Sequence, residues 1–211
     1  MRKGIFITIE GTDGSGKTTQ IRRMVSHLTS IGCEVILCRE PGSTQISEKI
    51  REIILDKENK MMGDTAEMLL YASARAQLIS EVIKPAIENG KVVICDRFVD
   101  SSYVYQGFAR GIPLDTVIEI NRIATQGIMP DVTFFFDIAP DVALKRKINR
   151  HHAADRIESE KMEFHLKVYE GYKEIKRLYP DRIKSIDAAR GIDEIFGDVR
   201  KELDSILAGR K

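Results

Sequence analysis

The run Gly11-Thr12-Asp13-Gly14-Ser15-Gly16-Lys17-Thr18 constrains this chain more tightly than any other stretch. It carries Gly, four residues, then Gly-Lys-Thr, directly after the apolar β-branched run Ile5 to Ile9 and directly before a stretch of helical period that begins at Lys17. Glycines at these positions let the backbone turn so that successive N–H groups point inward, and the start of a helix adds its positive dipole end. That combination suits the oxygens of a phosphate chain. All eight residues from Gly11 to Thr18 are therefore expected to hold ATP, with Lys17 reaching the β- and γ-phosphates and the Thr18 hydroxyl available to Mg²⁺. A Gly-rich turn without a ligand is the plainer alternative. The chain has no Asn-Lys-x-Asp run of the kind that reads guanine and no Leu-Ser-Gly-Gly-Gln run, which counts against a GTPase switch and a transporter ATPase.

The remaining sequence alternates short apolar runs with longer helical stretches. Ile5 to Ile9, Glu34 to Cys38, Val92 to Cys95, Val132 to Phe136 and Ile183 to Ile186 read as strands. Lys17 to Ser30, Ser43 to Leu55, Thr65 to Glu88, Leu114 to Gln126, Asp141 to Asn149, Lys161 to Leu178 and Ile192 to Leu207 have helical spacing. Strands apolar on both faces and separated by helices imply right-handed crossovers and a parallel sheet covered on both sides. The expectation is an α/β fold with a five-stranded parallel sheet. Pro85, inside the third helical stretch, predicts a bend or restart.

With 211 residues, 43% of them hydrophobic, and no linker or repeat, the chain is expected to form one domain over residues 1–211. Lys and Arg number 33 against 32 Asp and Glu, so nothing in the whole-molecule charge points to nucleic acid or an acidic membrane, and any phosphate binding must be local. Cys33, Cys38 and Cys95 lack metal-ligand spacing and read as reduced thiols. With neither a signal-peptide pattern nor a membrane-length apolar run, a cytoplasmic location is expected.

The third strand ends in Cys95-Asp96-Arg97-Phe98, at the carboxyl edge where open α/β sheets bind ligands. Asp96 can hold Mg²⁺ through water, and Arg97 offers a planar fork for a second, acceptor phosphate. A surface ion pair is the alternative. Arg39, in Arg39-Glu40-Pro41-Gly42-Ser43-Thr44, leaves the same edge and can converge on the same phosphate, although Pro and Gly also mark a plain turn. Between two helices, Arg146, Lys147, Arg150 and Arg156 make a basic stretch that reads as a lid over about 146–158, or as a solvated loop.

The order and spacing of the Asp-Arg-Phe strand end, the Arg-Glu-Pro-Gly turn, the phosphate loop and Leu69-Leu70-Tyr71-Ala72-Ser73-Ala74-Arg75 resemble those of thymidylate kinases of the bacterial type, over nearly the whole chain. The resemblance implies a P-loop NTPase fold with helices on both sheet faces. It also implies transfer of the ATP γ-phosphate to dTMP, with Mg²⁺, on the route to dTTP. Tyr71 takes the place of the aromatic residue that stacks on thymine, and Arg75 that of the arginine that contacts the base. From the residues alone the two read as a helix-surface pair. By the same resemblance Ser102 and Gln106, within Asp100 to Gly107, line the base pocket, and Asp13 reads the sugar 3′-hydroxyl.

Ser43 departs from the pattern, since many relatives carry a second Gly there. The phosphate loop has Gly14 and Ser15 where some relatives place a catalytic arginine, so the resemblance points to the lid, with Arg150 first and Arg146 and Arg156 next. Relatives are commonly homodimers. Two other readings stand beside this one: a P-loop kinase for another small acceptor, and a P-loop switch or ATPase acting on a partner.

Overall fold

The computed structural model describes residues 4–148 and 155–209. Five strands, β1 (Ile5–Glu10), β2 (Val35–Arg39), β3 (Val92–Asp96), β4 (Val132–Asp137) and β5 (Ile183–Asp187), form one parallel sheet in the order β2-β3-β1-β4-β5. β1 lies at the centre, and the chain leaves it toward β2 on one side before returning through β3 to β4 on the other. This is the parallel sheet the alternating sequence implies.

Side chains alternate between two cores, as the period of a strand requires. Ile5, Ile7, Ile9, Val92, Ile94, Phe134 and Phe136 pack on one face with Ile21, Met24 and Leu28 of α1 (Lys17–Ser30) and Ile195, Val199 and Leu203 of α9 (Ile192–Ala208). Phe6, Val93, Cys95 and Phe135 pack on the other face. That face is covered by α3 (Asp64–Leu78), α4 (Lys84–Glu88), α5 (Val99–Ser102), α6 (Leu114–Ala124) and α8 (Met162–Leu178). α2 (Gln45–Leu55) packs against α3, and α7 (Pro140–Ile148) follows β4. Cys38 and Cys95 are buried in paired strands, and all three cysteines are free thiols.

Four stretches differ from the sequence expectation, the first two for a local reason. The helix expected from Ser43 begins at Gln45, because Ser43 has φ 70° and the Thr44 side chain accepts a hydrogen bond from Ser47 N, capping the helix there. A left-handed backbone at Ser43 is also why glycine suits this position. The long stretch to Glu88 divides at a π-helical turn, Ile79–Ile83, since Pro85 donates no hydrogen bond and its ring crowds the carbonyl four residues back. Residues Val99–Ser102 and a π-helical turn over Tyr103–Ala109 are helical where no regular period is written. The sixth helix stops at Ala124, two residues short of the expected end, and Gln126 has φ 52°.

Candidate active site

The carboxyl ends of β1, β2 and β3 open into a cavity of about 410 Å³. One side is the loop between β1 and α1. Gly16 takes φ 94° at the start of α1, and Gly14 takes φ 89°. A Cβ at Gly14 would come within 2.2 Å of the Ala143 carbonyl oxygen on α7, so the position is closed to side chains by backbone conformation and by packing. This explains physically why no basic residue stands at 14. Lys17 Nζ donates to the carbonyls of Gly11 (2.9 Å) and Thr12 (3.1 Å) and lies 3.6 Å from Asp13 Oδ1. Burial, followed by the charge of Arg97, pulls the Lys17 ammonium below its ordinary pKa, against Asp13, Asp96 and Glu10. Thr18 is exposed on the cavity wall. Asp96, at the end of β3, also lines it, with Oδ1 buried and lacking a hydrogen-bond partner among the described residues. A hydroxyl and a carboxylate oxygen of this kind are hard donors that fit Mg²⁺.

Three arginines line the opposite side. Arg97 follows β3 with φ 71°, its backbone N–H bonded to Ile9 O. Its guanidinium lies 5.4 Å from the Tyr105 ring centroid, and Nη2 donates to Asp13 Oδ1 at 2.8 Å. Arg39 ends β2, donating to Pro41 O at 2.9 Å and to Glu48 Oε2 at 3.0 Å. Arg51 of α2 also donates to Pro41 O at 2.9 Å. Arg51 was not among the residues expected from sequence. On a helix beginning with Thr44 at the sheet edge, its second-turn position was the available signal.

Tyr71 lines the same cavity, half-buried, and burial raises the pKa of its phenol. Arg75, one turn on, is only 1% exposed. Nε and Nη2 donate to Glu40 Oε2 at 2.8 and 2.5 Å, and Nη2 also donates to Phe98 O at 3.1 Å. Nη1 donates to Ser102 Oγ at 2.9 Å and to Asn121 Oδ1. All five N–H donors of Arg75 are thus engaged within the protein. The reading of Tyr71 and Arg75 as a surface pair therefore fails for Arg75, because the same-face rule does not say what that face meets. Burial pushes Glu40 up to about 7, against the pull of Arg75.

Ser102 and Gln106 line the cavity too, and Gln106 Nε2 donates to Glu67 Oε1 at 3.0 Å. Glu67 also receives Arg110 Nη2 (3.1 Å) and Arg156 Nη2 (2.6 Å). Burial works to raise its pKa, but these bonds prevail and lower it.

Of the arginines expected in a lid, Arg150 lies outside the described residues. Arg146 donates to the carbonyls of Ala188 (2.7 Å) and Ala189 (3.2 Å), beyond β5. Arg156 donates to Ile54 O at 2.7 Å as well as to Glu67. Neither Arg146 nor Arg156 lines the cavity, whereas Asp155, Ile157 and Glu158 do.

A family model described as thymidylate kinase matches residues 9–199. A thymidylate kinase of Thermoanaerobacter pseudethanolicus is 50% identical over 197 residues, covering 93% of this chain and 96% of that one. One from Caldanaerobacter subterraneus is 48% identical over 209 residues, covering 99% of each chain. A crystal structure of thymidylate kinase from Ehrlichia chaffeensis superposes with a TM-score of 0.77 at 30% identity, covering 95% of this chain and 99% of that one.

Proposed function

This chain belongs to the thymidylate kinase family, and from that premise we propose that it transfers the γ-phosphate of MgATP to dTMP, yielding ADP and dTDP for dTTP synthesis. The observation that carries the reading is a single cavity with Lys17 and the glycine loop on one wall and Arg39, Arg51, Arg97 and Tyr71 on the other. A hydrolase or switch has no need of a second cationic phosphate site beside an aromatic ring.

In this reading the loop amides and Lys17 hold the β- and γ-phosphates. Thr18 and, through water, Asp96 would hold Mg²⁺, which when bound neutralises charge on the phosphate oxygens. Arg97 and Arg39 grip the acceptor phosphate, one of whose oxygens attacks the γ-phosphorus in line while the bond to the β,γ-bridging oxygen breaks and ADP leaves. No general base is required, because the attacking oxygen is already anionic. Tyr71 stacks on the pyrimidine, Asp13 receives the 3′-hydroxyl, and Ser102, Gln106 and Arg75 form the polar base edge. Arg75 reaches a base carbonyl only by sharing a proton now given to the protein. Arg150 of the lid neutralises the migrating group, with Arg146 and Arg156 behind it as alternatives.

We infer a cytoplasmic location from the three free thiols; among the described residues no helix is long and apolar enough to cross a membrane. A homodimer is supported by the exposed Leu69 and Ile123 on α3 and α6, and sedimentation tests it. A coupled assay of ADP release tests the reaction. Release that depends on dTMP is expected, and release equal to buffer with dTMP but raised by another nucleotide or nucleoside would sink the acceptor assignment.

A further inference from the structure

Behind Arg97 lies a buried carboxylate that the transfer reaction does not itself use. Glu10 ends the central strand and is 0% exposed. Its Oε1 accepts from the backbone N–H groups of Phe98 (2.8 Å) and Ser101 (3.2 Å), which tie down the turn that follows Arg97. Its Oε2 accepts from the Ser101 hydroxyl and from the Tyr172 hydroxyl of α8, both at 2.7 Å. Each hydroxyl has one proton, and with that proton given to Glu10 the oxygen is left as an acceptor. Arg97 Nη1 donates to both oxygens, at 3.3 Å to Ser101 and 3.2 Å to Tyr172. The carboxylate thereby orders two hydroxyls into acceptors for one nitrogen of the guanidinium. Meanwhile the Tyr105 ring lies under the guanidinium and Asp13 takes Nη2.

We propose that Glu10 and Tyr172 are positioning residues for Arg97, acting through hydroxyl groups to aim its fork into the acceptor side of the cavity. This rests on the reading of Arg97 as a ligand of the acceptor phosphate. Arg97 has long rotatable bonds and a left-handed backbone, so its fork points one way only if several groups hold it. Tyr172 is held in turn by its ring, stacked on Phe135 at 4.9 Å between centroids and 18° between planes. Its hydroxyl is therefore separable from its packing.

The test is Tyr172→Phe in the intact chain, which keeps the stacked ring and removes the hydroxyl. With dTMP and ATP varied separately, kcat/KM for dTMP should fall roughly tenfold while KM for ATP stays within about twofold, and the melting temperature should drop by only a few degrees, because Ser101 still donates to Glu10. In an Arg97→Ala background the same change should add almost nothing, as expected when one residue acts through another. Unchanged dTMP kinetics, or an equal loss in the Arg97→Ala background, overturns the proposal. If the wild-type chain gives no dTMP-dependent ADP, the acceptor assignment fails, and crystal structures of wild type and Tyr172→Phe still decide the positioning. Arg97 leaving the Tyr105 ring in the variant supports it, and Arg97 unmoved refutes it.

Discussion

Asp13 Oδ1 lies 2.8 Å from Arg97 Nη2, so a carboxylate on the phosphate loop is bonded to the arginine at the opposite wall of the cavity. The same oxygen is 3.6 Å from Lys17 Nζ, so one atom stands between Lys17 and Arg97. The ion pair of Asp13 with Arg97 joins the loop after β1 to the residue that follows β3.

Arg97→Lys keeps the charge and discards the planar fork. If Arg97 grips the acceptor phosphate through two parallel bonds, kcat/KM for dTMP should drop roughly a hundredfold, with KM for ATP little changed. Steady-state kinetics with each substrate varied in turn decide it, and near-wild-type values would remove Arg97 from the acceptor site.

Gly14→Ala places a methyl group against the Ala143 carbonyl at a position with φ 89°. Strained backbone and a backbone clash together should destabilise the fold by about 2 to 4 kcal/mol. Urea unfolding measures this, and a midpoint equal to wild type would show that α7 yields freely.

Arg150→Ala and Arg156→Ala should part company. Loss of a transition-state contact at Arg150 predicts turnover lower by about a hundredfold or more, with ATP affinity nearly intact. Arg156 is bonded to buried Glu67 and to Ile54 O, so its removal takes one charged donor from a buried carboxylate that keeps Arg110 and Gln106, and should lower stability by about 1 to 2 kcal/mol. Turnover and melting temperature, measured on both variants, separate the two roles. The reverse pattern would make Arg156 the reacting arginine.

Glu40 predicts a pH dependence of stability. Burial raises its pKa in the folded protein from 4.5 to about 7, so the folded state binds a proton that the unfolded state has released. Its contribution is complete below about pH 4.5 and fades as the pH rises through about 7, a change of about 3 kcal/mol at most. Glu40→Gln should flatten that slope between pH 4.5 and 7.5 in urea denaturation. A slope equal to wild type would mean that Arg75 keeps Glu40 ionised throughout.

Much of the fold was legible because its signals are local. Ile5 to Ile9 and Lys17 to Ser30 bracket the phosphate loop within a residue of the observed ends, since a buried strand, a glycine turn and an amphipathic helix each carry their own pattern. The π-helical turn at Tyr103–Ala109 has no such period and was not foreseen. Glu10 carried a usable signal, a charge closing an apolar strand. Tyr172 carried none, being one tyrosine on an ordinary amphipathic helix 162 positions away in sequence.

Sequence alone determined the glycine loop between β1 and α1, the strand end at Asp96-Arg97 and the parallel order of helix and strand, because each depends on neighbours within a few residues. Tertiary structure decided which side chains are already spent. Arg75 gives its five donors to Glu40, Phe98, Ser102 and Asn121, and Arg156 turns to Glu67. A guanidinium has the same chemistry wherever it stands, and only the partners brought beside it from distant segments determine whether it faces a ligand or the interior.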